Sequence, residues 1–263
     1  MGIKVLIVGA SSSTGLSIYQ KLSQFKEIEV TSISRTKNNK LPKNTVYGDL
    51  LDEDFCNRQT GFAKYDFIIY LCGVWKGKRN EIEDYNDNLL PFKNFISSFA
   101  KDTKNIIYFS SSAVYKNNKF GPESKLFEDP YSSYGKAKLE CENMLMTFCK
   151  TKKIGYSILR PFHIVSYNER YKPGSSHVFT DFYYQANNDL DGFQKKMMDL
   201  PDVWISFTLC EDIAELIKKI LFSSIHNNEI YNIDSSKTFS IRHLGDAIIR
   251  FLKNNLNIKD PNY

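Results

Sequence analysis

Short apolar segments alternate with longer amphipathic segments over the first 160 or so residues of the chain. The apolar segments predict five strands, at residues 4–8, 30–34, 66–71, 105–110 and 156–160. The segments between them have helical periodicity and predict helices at residues 16–25, 87–101 and 131–150. This order is typical of an α/β protein with a Rossmann-type, doubly wound parallel sheet.

The pattern is less regular after Arg160-Pro161. Residues 167–198 are rich in aromatic and polar side chains and are expected to form loops, followed by a strand at 203–209, a helix at 211–222, a short strand at 229–233 and a final helix at 241–254. We predict one continuous unit. Residues 1–161 form the dinucleotide-binding core with the catalytic residues, and residues 162–263 form a small substrate-binding lobe interleaved with the last core elements.

Composition indicates an ordinary soluble protein, with 42% hydrophobic and 25% charged residues in a chain of 263. No apolar run approaches the roughly 18 to 20 residues that span a bilayer, and the apolar start is too short for a signal sequence. We therefore expect a cytoplasmic protein without membrane contact.

The five cysteines and four histidines are scattered, so neither a disulfide framework nor a metal site is expected. The net charge of +5 comes from dispersed lysines and not from one basic block, which argues against nucleic-acid binding. A mildly positive surface suits an anionic small molecule such as a phosphorylated cofactor or substrate.

A glycine turn follows the first predicted strand and precedes the first helix. Strand, turn and helix in this order are the context of a dinucleotide-binding site, in which glycines allow the tight turn and the helix N-terminus meets the pyrophosphate. An ordinary glycine-serine turn is the alternative. The cofactor-binding residues predicted here are Gly9, Ser11, Ser12, Ser13, Thr14 and Gly15, with Ser12 where a glycine is more usual.

The end of the second strand bears on the choice of cofactor. A carboxylate at this position binds the ribose 2′-hydroxyl of NAD, whereas an arginine accommodates the 2′-phosphate of NADP. Arg35 stands here and Lys37 follows, so NADP is favoured and NAD is the alternative. Arg35 could also be a surface residue that binds nothing.

Tyr134 and Lys138 are four residues apart on a predicted helix and therefore share a face. The ammonium of Lys138 would stabilise the phenolate of Tyr134, which could then pass a proton to or from a carbonyl or hydroxyl group. A second Tyr-x-x-x-Lys begins at Tyr115 but runs into residues typical of a loop. Spacing alone is thus weak evidence, and the surrounding motifs decide which of the two Tyr-x-x-x-Lys segments is the candidate site.

Several further motifs occur in the order of one known family. They are Gly48-Asp49-Leu50, Tyr70-Leu71-Cys72-Gly73, Asn88 to Asn94, Phe109 to Tyr115, Pro130 to Lys138, Leu159-Arg160-Pro161 and Glu211-Asp212-Ile213-Ala214. Together with the glycine turn they resemble the extended branch of the short-chain dehydrogenase/reductase superfamily, the NAD(P)-dependent nucleotide-sugar epimerases, dehydratases and reductases. Pro91 replaces a glycine of the family pattern, and His163 stands where many relatives have asparagine.

The resemblance implies roles for individual residues. Ser111, Tyr134 and Lys138 would be the catalytic residues, and Ser112 and His163 would contact the substrate. Further cofactor contacts would come from Asp49, Leu50, Leu71, Cys72, Gly73, Asn88, Tyr134, Lys138 and Pro161.

The resemblance also limits the reaction. Ser112-Ala113 follow Ser111 where dehydratases carry an Asp-Glu pair, and Ala113 replaces the cysteine of enzymes resembling GDP-fucose synthase. We therefore expect an NAD(P)H-dependent reductase of a keto nucleotide sugar, such as a 4-keto-6-deoxyhexose. The alternatives are a 4-epimerase with tightly bound NAD and a non-catalytic NADP sensor or scaffold. Family members often form homodimers through the helix of Tyr134, where Leu139, Met144 and Met146 could serve the dimer or the core.

Overall fold

The computed structural model describes residues 2–58, 64–74, 81–100, 103–115, 128–174, 176–201, 203–223 and 228–255. The elements in chain order are β1 Ile3–Val8, α1 Ser13–Leu22, β2 Ile28–Ser34, β3 Val46–Tyr47, α2 Glu53–Arg58, β4 Phe67–Tyr70, α3 Glu81–Ser98, β5 Asn105–Phe109, a 3₁₀ turn Ser112–Val114, α4 Ser133–Lys152, β6 Gly155–Pro161, β7 Ile164–Val165, α5 Val178–Asn188, α6 Leu190–Asp199, β8 Trp204–Ser206, β9 Thr208–Leu209, α7 Cys210–Phe222, β10 Glu229–Ile233, β11 Thr238–Ser240 and α8 Ile241–Asn254.

The main sheet contains seven parallel strands within the described residues, in the order β10-β6-β5-β4-β1-β2-β3. Its strands are short apolar runs, and both faces of the sheet are covered, as parallel sheets require. Leu6 and Val8 of β1 pack toward α3 and α4, while Val5 and Ile7 pack toward α1 and α7. The predicted doubly wound Rossmann-type sheet is confirmed.

The strand order places the sequence motifs at one edge of the sheet. β1 pairs with β2 on one side and with β4 on the other, so the order reverses beside β1. In open α/β sheets, ligands bind outside the carboxyl ends of the strands at this point. Gly9, Leu71, Ser110 and Phe162 directly follow β1, β4, β5 and β6 at that edge.

The last third of the chain contributes both to the main sheet and to a second, smaller core. α7 packs on the main sheet and β10 extends it beside β6. α5, α6 and α8 form a separate small core that includes Phe182, Phe193 and Ile249. The short pairs β8–β11 and β7–β9 accompany these helices.

Two predictions for this third were wrong. Residues 167–198, expected to be loops, contain α5 and α6, because Phe182, Ala186, Phe193 and Met197 form an apolar contact with α8 that the scattered aromatic pattern concealed. The single strand expected at 203–209 is two strands, β8 and β9, which pair with different partners and are separated at Phe207.

The ends of three helices also differ from the prediction. α1 begins at Ser13, α3 runs from Glu81 to Ser98 through Pro91, and α4 runs from Ser133 to Lys152. Lys101, the last residue of the helix predicted at 87–101, lies outside the described residues. Helix ends follow capping side chains, which periodicity does not show.

The three apolar residues of α4 that could have served a dimer lie against the protein's own core. Leu139 packs beside Val114 and Phe162, and Met144 and Met146 pack against the cluster formed by α3 and the sheet. None of the described helices combines the length and the hydropathy needed to cross a membrane.

Candidate active site

Lys138 lies at the carboxyl ends of two neighbouring strands. The residue is only 3% exposed, and its Nζ donates hydrogen bonds to the carbonyl oxygens of Phe109, at 2.8 Å, and Cys72, at 3.3 Å. Tyr134 lies one turn earlier on α4, and its ring centroid is 5.8 Å from Nζ. The predicted pairing of these two side chains on one helical face is present in the structure.

The start of α4 is held close to the turn that carries Ser111. Ser132 caps the helix, and its Oγ accepts a hydrogen bond from the Gly135 amide at 3.0 Å. Ser111 caps the 3₁₀ turn in the same way, and its Oγ accepts from the Ala113 amide at 3.1 Å. A Cβ atom on Gly135 would lie 2.2 Å from the Ala113 carbonyl oxygen. Glycine therefore permits the close approach that brings Ser111 to the helix of Tyr134.

The glycine turn fits a dinucleotide pyrophosphate. Gly9 has φ +91°, and a Cβ atom there would lie 3.0 Å from Cys72 Sγ. A Cβ on Gly15 would lie 2.5 Å from the Gly9 carbonyl oxygen. Ser12 caps α1, where its Oγ accepts from the Gly15 amide at 3.0 Å and donates to the Gly9 carbonyl at 2.9 Å. The serine that replaces a glycine thus stabilises the turn, and the N-terminus of α1, with Ser11, Ser13 and Thr14, is a suitable anion site.

The turn after β4 is fixed by Asn88, a predicted cofactor contact. The buried amide of Asn88 accepts from the Val74 amide at 2.9 Å and donates to the Val74 and Asp84 carbonyls at 2.8 Å each. Its hydrogen bonds therefore hold the main chain behind the site. Gly73 borders Lys138, because a Cβ on Gly73 would lie 2.9 Å from Nζ.

The other predicted cofactor residues differ in how deeply their side chains are buried. Arg35 Nη1 lies 3.7 Å from Asp49 Oδ2, and both side chains are largely exposed. Leu50 is buried in the core and presents no side chain at this surface, although its carbonyl accepts from Asn94 at 2.8 Å. Thr36 Oγ1 donates to Ser11 Oγ at 3.3 Å and so connects the end of β2 with the glycine turn.

Cys72 lies between the glycine turn and Lys138. Burial raises the pKa of the Cys72 thiol to about 11, and the nearby ammonium of Lys138 only partly opposes this increase. The thiol is therefore protonated at neutral pH. Leu71, at the end of β4, is partly buried, and Pro161, at the end of β6, is fully buried.

His163, a predicted substrate contact, is held by the segment between β8 and β9. Its Nδ1 lies 3.2 Å from the Ser206 carbonyl oxygen, and its ring meets that of Phe207 edge to face at 6.1 Å between centroids. Burial lowers the pKa of His163 and outweighs the opposing hydrogen bond. A neutral ring must donate from Nδ1 to that carbonyl, so Nε2 is its acceptor. Ser112 begins the 3₁₀ turn next to Ser111.

Several contributors to the site had no signal in the sequence. The acceptors of Lys138 are main-chain carbonyls, which every residue has, and Phe207 is one of many aromatic residues. Gly135 appeared within the Tyr134 motif, but its contact with Ala113 could be found only after α4 and the 3₁₀ turn were placed. Across the described residues, no three His, Cys, Asp or Glu side chains form a group that could hold a metal ion.

Comparison with known proteins places this site in a family context. The sequence profile of the NAD dependent epimerase/dehydratase family matches residues 5–234. A similar curated protein is the N-acetyl-alpha-D-glucosaminyl-diphospho-ditrans,octacis-undecaprenol 4-epimerase of Escherichia coli O157:H7, 24% identical over 99% of this chain and 75% of that protein.

Solved structures show the same fold. The UDP-glucose 4-epimerase of Thermotoga maritima with UDP-glucose aligns with a TM-score of 0.77 and 17% identity over 99% of this chain and 85% of that one. The UDP-glucose 4-epimerase of Thermus thermophilus in complex with NAD aligns with a TM-score of 0.75 and 18% identity over 94% of this chain and 83% of that one.

Proposed function

Because the chain belongs to the NAD dependent epimerase/dehydratase family, an enzyme family of the extended short-chain dehydrogenase/reductase type, we propose that it is a 4-epimerase of a sugar linked to a diphosphate. From the sequence we expected a keto-sugar reductase, with a 4-epimerase as one alternative. The relatives named above are 4-epimerases, and they support the alternative.

The position of Lys138 is the observation that carries the proposal. A buried ammonium is held at the ends of β4 and β5, one helical turn from Tyr134, on the helix whose start lies against the turn of Ser111. A neighbouring cation stabilises a phenolate, the form that accepts a proton from a sugar hydroxyl. One group that can both remove and return this proton is what inversion at a single carbon requires.

The remaining chemistry divides between the cofactor and the chain. NAD, when bound, supplies the acceptor and donor of hydride. Tyr134 takes the proton of the sugar hydroxyl as the carbon is oxidised and returns it as the carbon is reduced from the other face. Ser111 donates a hydrogen bond to the same oxygen and fixes its position. Ser112 and Ala113 have no acid or base that could eliminate water, which argues against dehydration.

The proposed cofactor is NAD, with NADP as the alternative that Arg35 first favoured. The carboxylate of Asp49 faces the Arg35 guanidinium and offsets part of the positive charge that a 2′-phosphate would need. An epimerase also regenerates its cofactor in each cycle and gains nothing from exchanging it.

The proposed substrate is a hexose on a diphosphate. The undecaprenyl-linked substrate in the name of the curated relative and the UDP-glucose of the solved structure share this sugar-diphosphate unit. A nucleoside diphosphate is the carrier to test first. A homodimer remains a prediction, which light scattering on the purified protein would check.

The test uses the purified protein without added reductant. We expect denaturation to release NAD, and the protein to convert UDP-glucose or UDP-N-acetylglucosamine into its 4-epimer, as followed by chromatography. Tyr134→Phe should retain NAD and lose turnover by about 10²- to 10⁴-fold, the usual contribution of a general acid or base. Tyr131→Phe, at a highly exposed position three residues earlier, is the matched control and should behave as wild type.

A different result would restore the earlier prediction. If no epimer forms and the protein consumes NADPH with a 4-keto sugar nucleotide, it is a reductase and not an epimerase. If Tyr134→Phe keeps full turnover, the assigned role of Tyr134 is wrong.

A further inference from the structure

Arg160 is completely buried at the end of β6 and makes four side-chain hydrogen bonds. Its Nε and Nη2 donate to the two carboxylate oxygens of Glu142, at 3.0 and 2.5 Å. Nη2 also donates to Glu128 Oε1 at 2.5 Å, and Nη1 donates to Tyr115 Oη at 2.8 Å. Tyr115 Oη in turn donates to Asn232 Oδ1 of β10 at 2.7 Å. None of these five residues has a role in the chemistry proposed above.

This network holds the chain on both sides of Ser111. On the preceding side, Ser110 Oγ donates a hydrogen bond to Glu142 Oε1. On the following side, the hydroxyl of Tyr115 accepts from Arg160. Residues 111–114, which form the serine turn, therefore lie between two residues, Ser110 and Tyr115, whose side chains are hydrogen-bonded to the buried Arg160–Glu142 ion pair.

The network also reaches the helix of the two other catalytic candidates. Glu142 lies on α4 one turn after Lys138 and two turns after Tyr134, and its side chain is fully buried. A carboxylate at this position connects α4 with both β6 and the end of β5. The relative placement of the serine turn and the helix thus depends on charged side chains as well as on apolar contacts.

The charges make the arrangement specific. Burial by itself lowers the pKa of Arg160, but the hydrogen bonds and charge of Glu142, followed by the hydrogen bonds of Glu128 and Tyr115, outweigh it and raise the pKa above its usual range. The guanidinium is therefore always charged. A buried charge without partners is strongly unfavourable, so alternative packings that separate these groups are disfavoured.

We propose that four residues are positioning residues that hold Ser111 at a fixed place relative to Tyr134 and Lys138. They are Arg160, Glu142, Ser110 and Tyr115. This inference rests on the proposed function, because it assigns Ser111, Tyr134 and Lys138 to the reaction. The network contacts neither substrate nor cofactor in this assignment. It acts by restricting the serine turn, and a displacement of about 1 Å at a reacting group is enough to reduce turnover strongly.

Two small substitutions test the proposal without removing either partner of the Arg160–Glu142 ion pair. Ser110→Ala and Tyr115→Phe each delete one hydroxyl, one on each side of Ser111. Tyr156→Phe, on the same strand as Arg160 but outside the network, is the matched control. For each protein, kcat and KM are measured with the sugar nucleotide, bound NAD is quantified, and amide hydrogen exchange is followed by mass spectrometry for residues 110–115.

Both network variants should lose about tenfold in kcat while KM and NAD content stay within twofold of wild type. Amides in residues 110–115 should exchange about tenfold faster, with no change in α7, and the control should match wild type in every measurement. Unchanged exchange, or faster exchange with unchanged kcat, would overturn the proposal. A wild-type protein without epimerase activity would refute the proposed function instead, and the exchange data would still decide whether the network restrains the serine turn.

Discussion

The ammonium of Lys138 lies 2.8 Å from the carbonyl oxygen of Phe109, a residue 29 positions earlier in the chain. A second carbonyl, that of Cys72, accepts from the same ammonium at 3.3 Å. The ends of β4 and β5 therefore hold Lys138 at a fixed distance from Tyr134, and the first prediction follows from this geometry.

Lys138→Met should lower kcat by at least about 100-fold, because it removes the charge that stabilises a phenolate while keeping a long side chain. Bound NAD should also decrease, since Lys138 borders Gly73 in the predicted cofactor channel. Steady-state kinetics and quantification of released NAD check both effects. Lys136→Met, at an exposed position of the same helix, should leave both unchanged.

The Arg35–Asp49 ion pair should control the choice between NAD and NADP. Asp49→Asn removes the carboxylate beside Arg35, and we expect the ratio of NADP to NAD affinity to rise about tenfold. Arg35→Ser should lower that ratio by a similar factor, because the 2′-phosphate loses its cation. Binding of each cofactor is measured by calorimetry on protein freed of its own cofactor.

A matched change separates this local effect from overall charge. Lys37→Ser removes one positive charge at a nearby exposed position outside the ion pair. Equal effects of Arg35→Ser and Lys37→Ser would show that Arg35 has no particular role at the 2′ position.

His163 should make stability depend on pH. Its pKa is lowered in the folded protein by burial, so below about pH 6.5 the unfolded chain binds a proton that the folded chain resists. The free energy of unfolding contributed by this group is fully present above pH 6.5 and decreases as the pH falls toward the lowered pKa. Urea unfolding at pH 7.5 and pH 5.0 measures the decrease.

His163→Asn should reduce this decrease, because asparagine does not titrate. Asparagine also suits the backbone of residue 163, whose φ is +21°. His243→Asn removes an exposed histidine and should retain the pH dependence of wild type. Identical pH dependence in His163→Asn and wild type would contradict the burial argument.

Gly135→Ala should separate α4 from the turn of Ser111. The new methyl group would lie 2.2 Å from the Ala113 carbonyl oxygen, so one of the two segments must move. We expect a loss of about 1 to 3 kcal/mol in the free energy of unfolding, typical of overpacking, together with a lower kcat. Asn143→Ala, on the exposed face of the same helix, should change stability by less than about 0.5 kcal/mol in the same urea experiment.

The alternation of apolar strands and amphipathic helices was sufficient to predict the parallel sheet. β1, β2, β4, β5 and β6 lie close to the predicted positions, because a strand buried on both faces is a short continuous apolar run. α5 and α6 were missed because, within the described residues, their buried apolar side chains pack mainly against α8 and one another. A narrow contact of this kind leaves a weak periodic signal among many aromatic and polar residues.

Local sequence determined the features that depend on near neighbours: the glycine turn between β1 and α1, and Tyr134 and Lys138 one turn apart on α4. Only the tertiary structure decided what joins distant segments. Examples are the carbonyls that hold Lys138, the Arg35–Asp49 pair, and the contacts of Arg160 with Tyr115, Glu128 and Glu142. The carbonyls meet Lys138 and the partners of Arg160 come together because the strand order brings the carboxyl ends of β4, β5 and β6 side by side, whereas Arg35 meets Asp49 because β2 pairs with β3. No periodicity within one element contains that order.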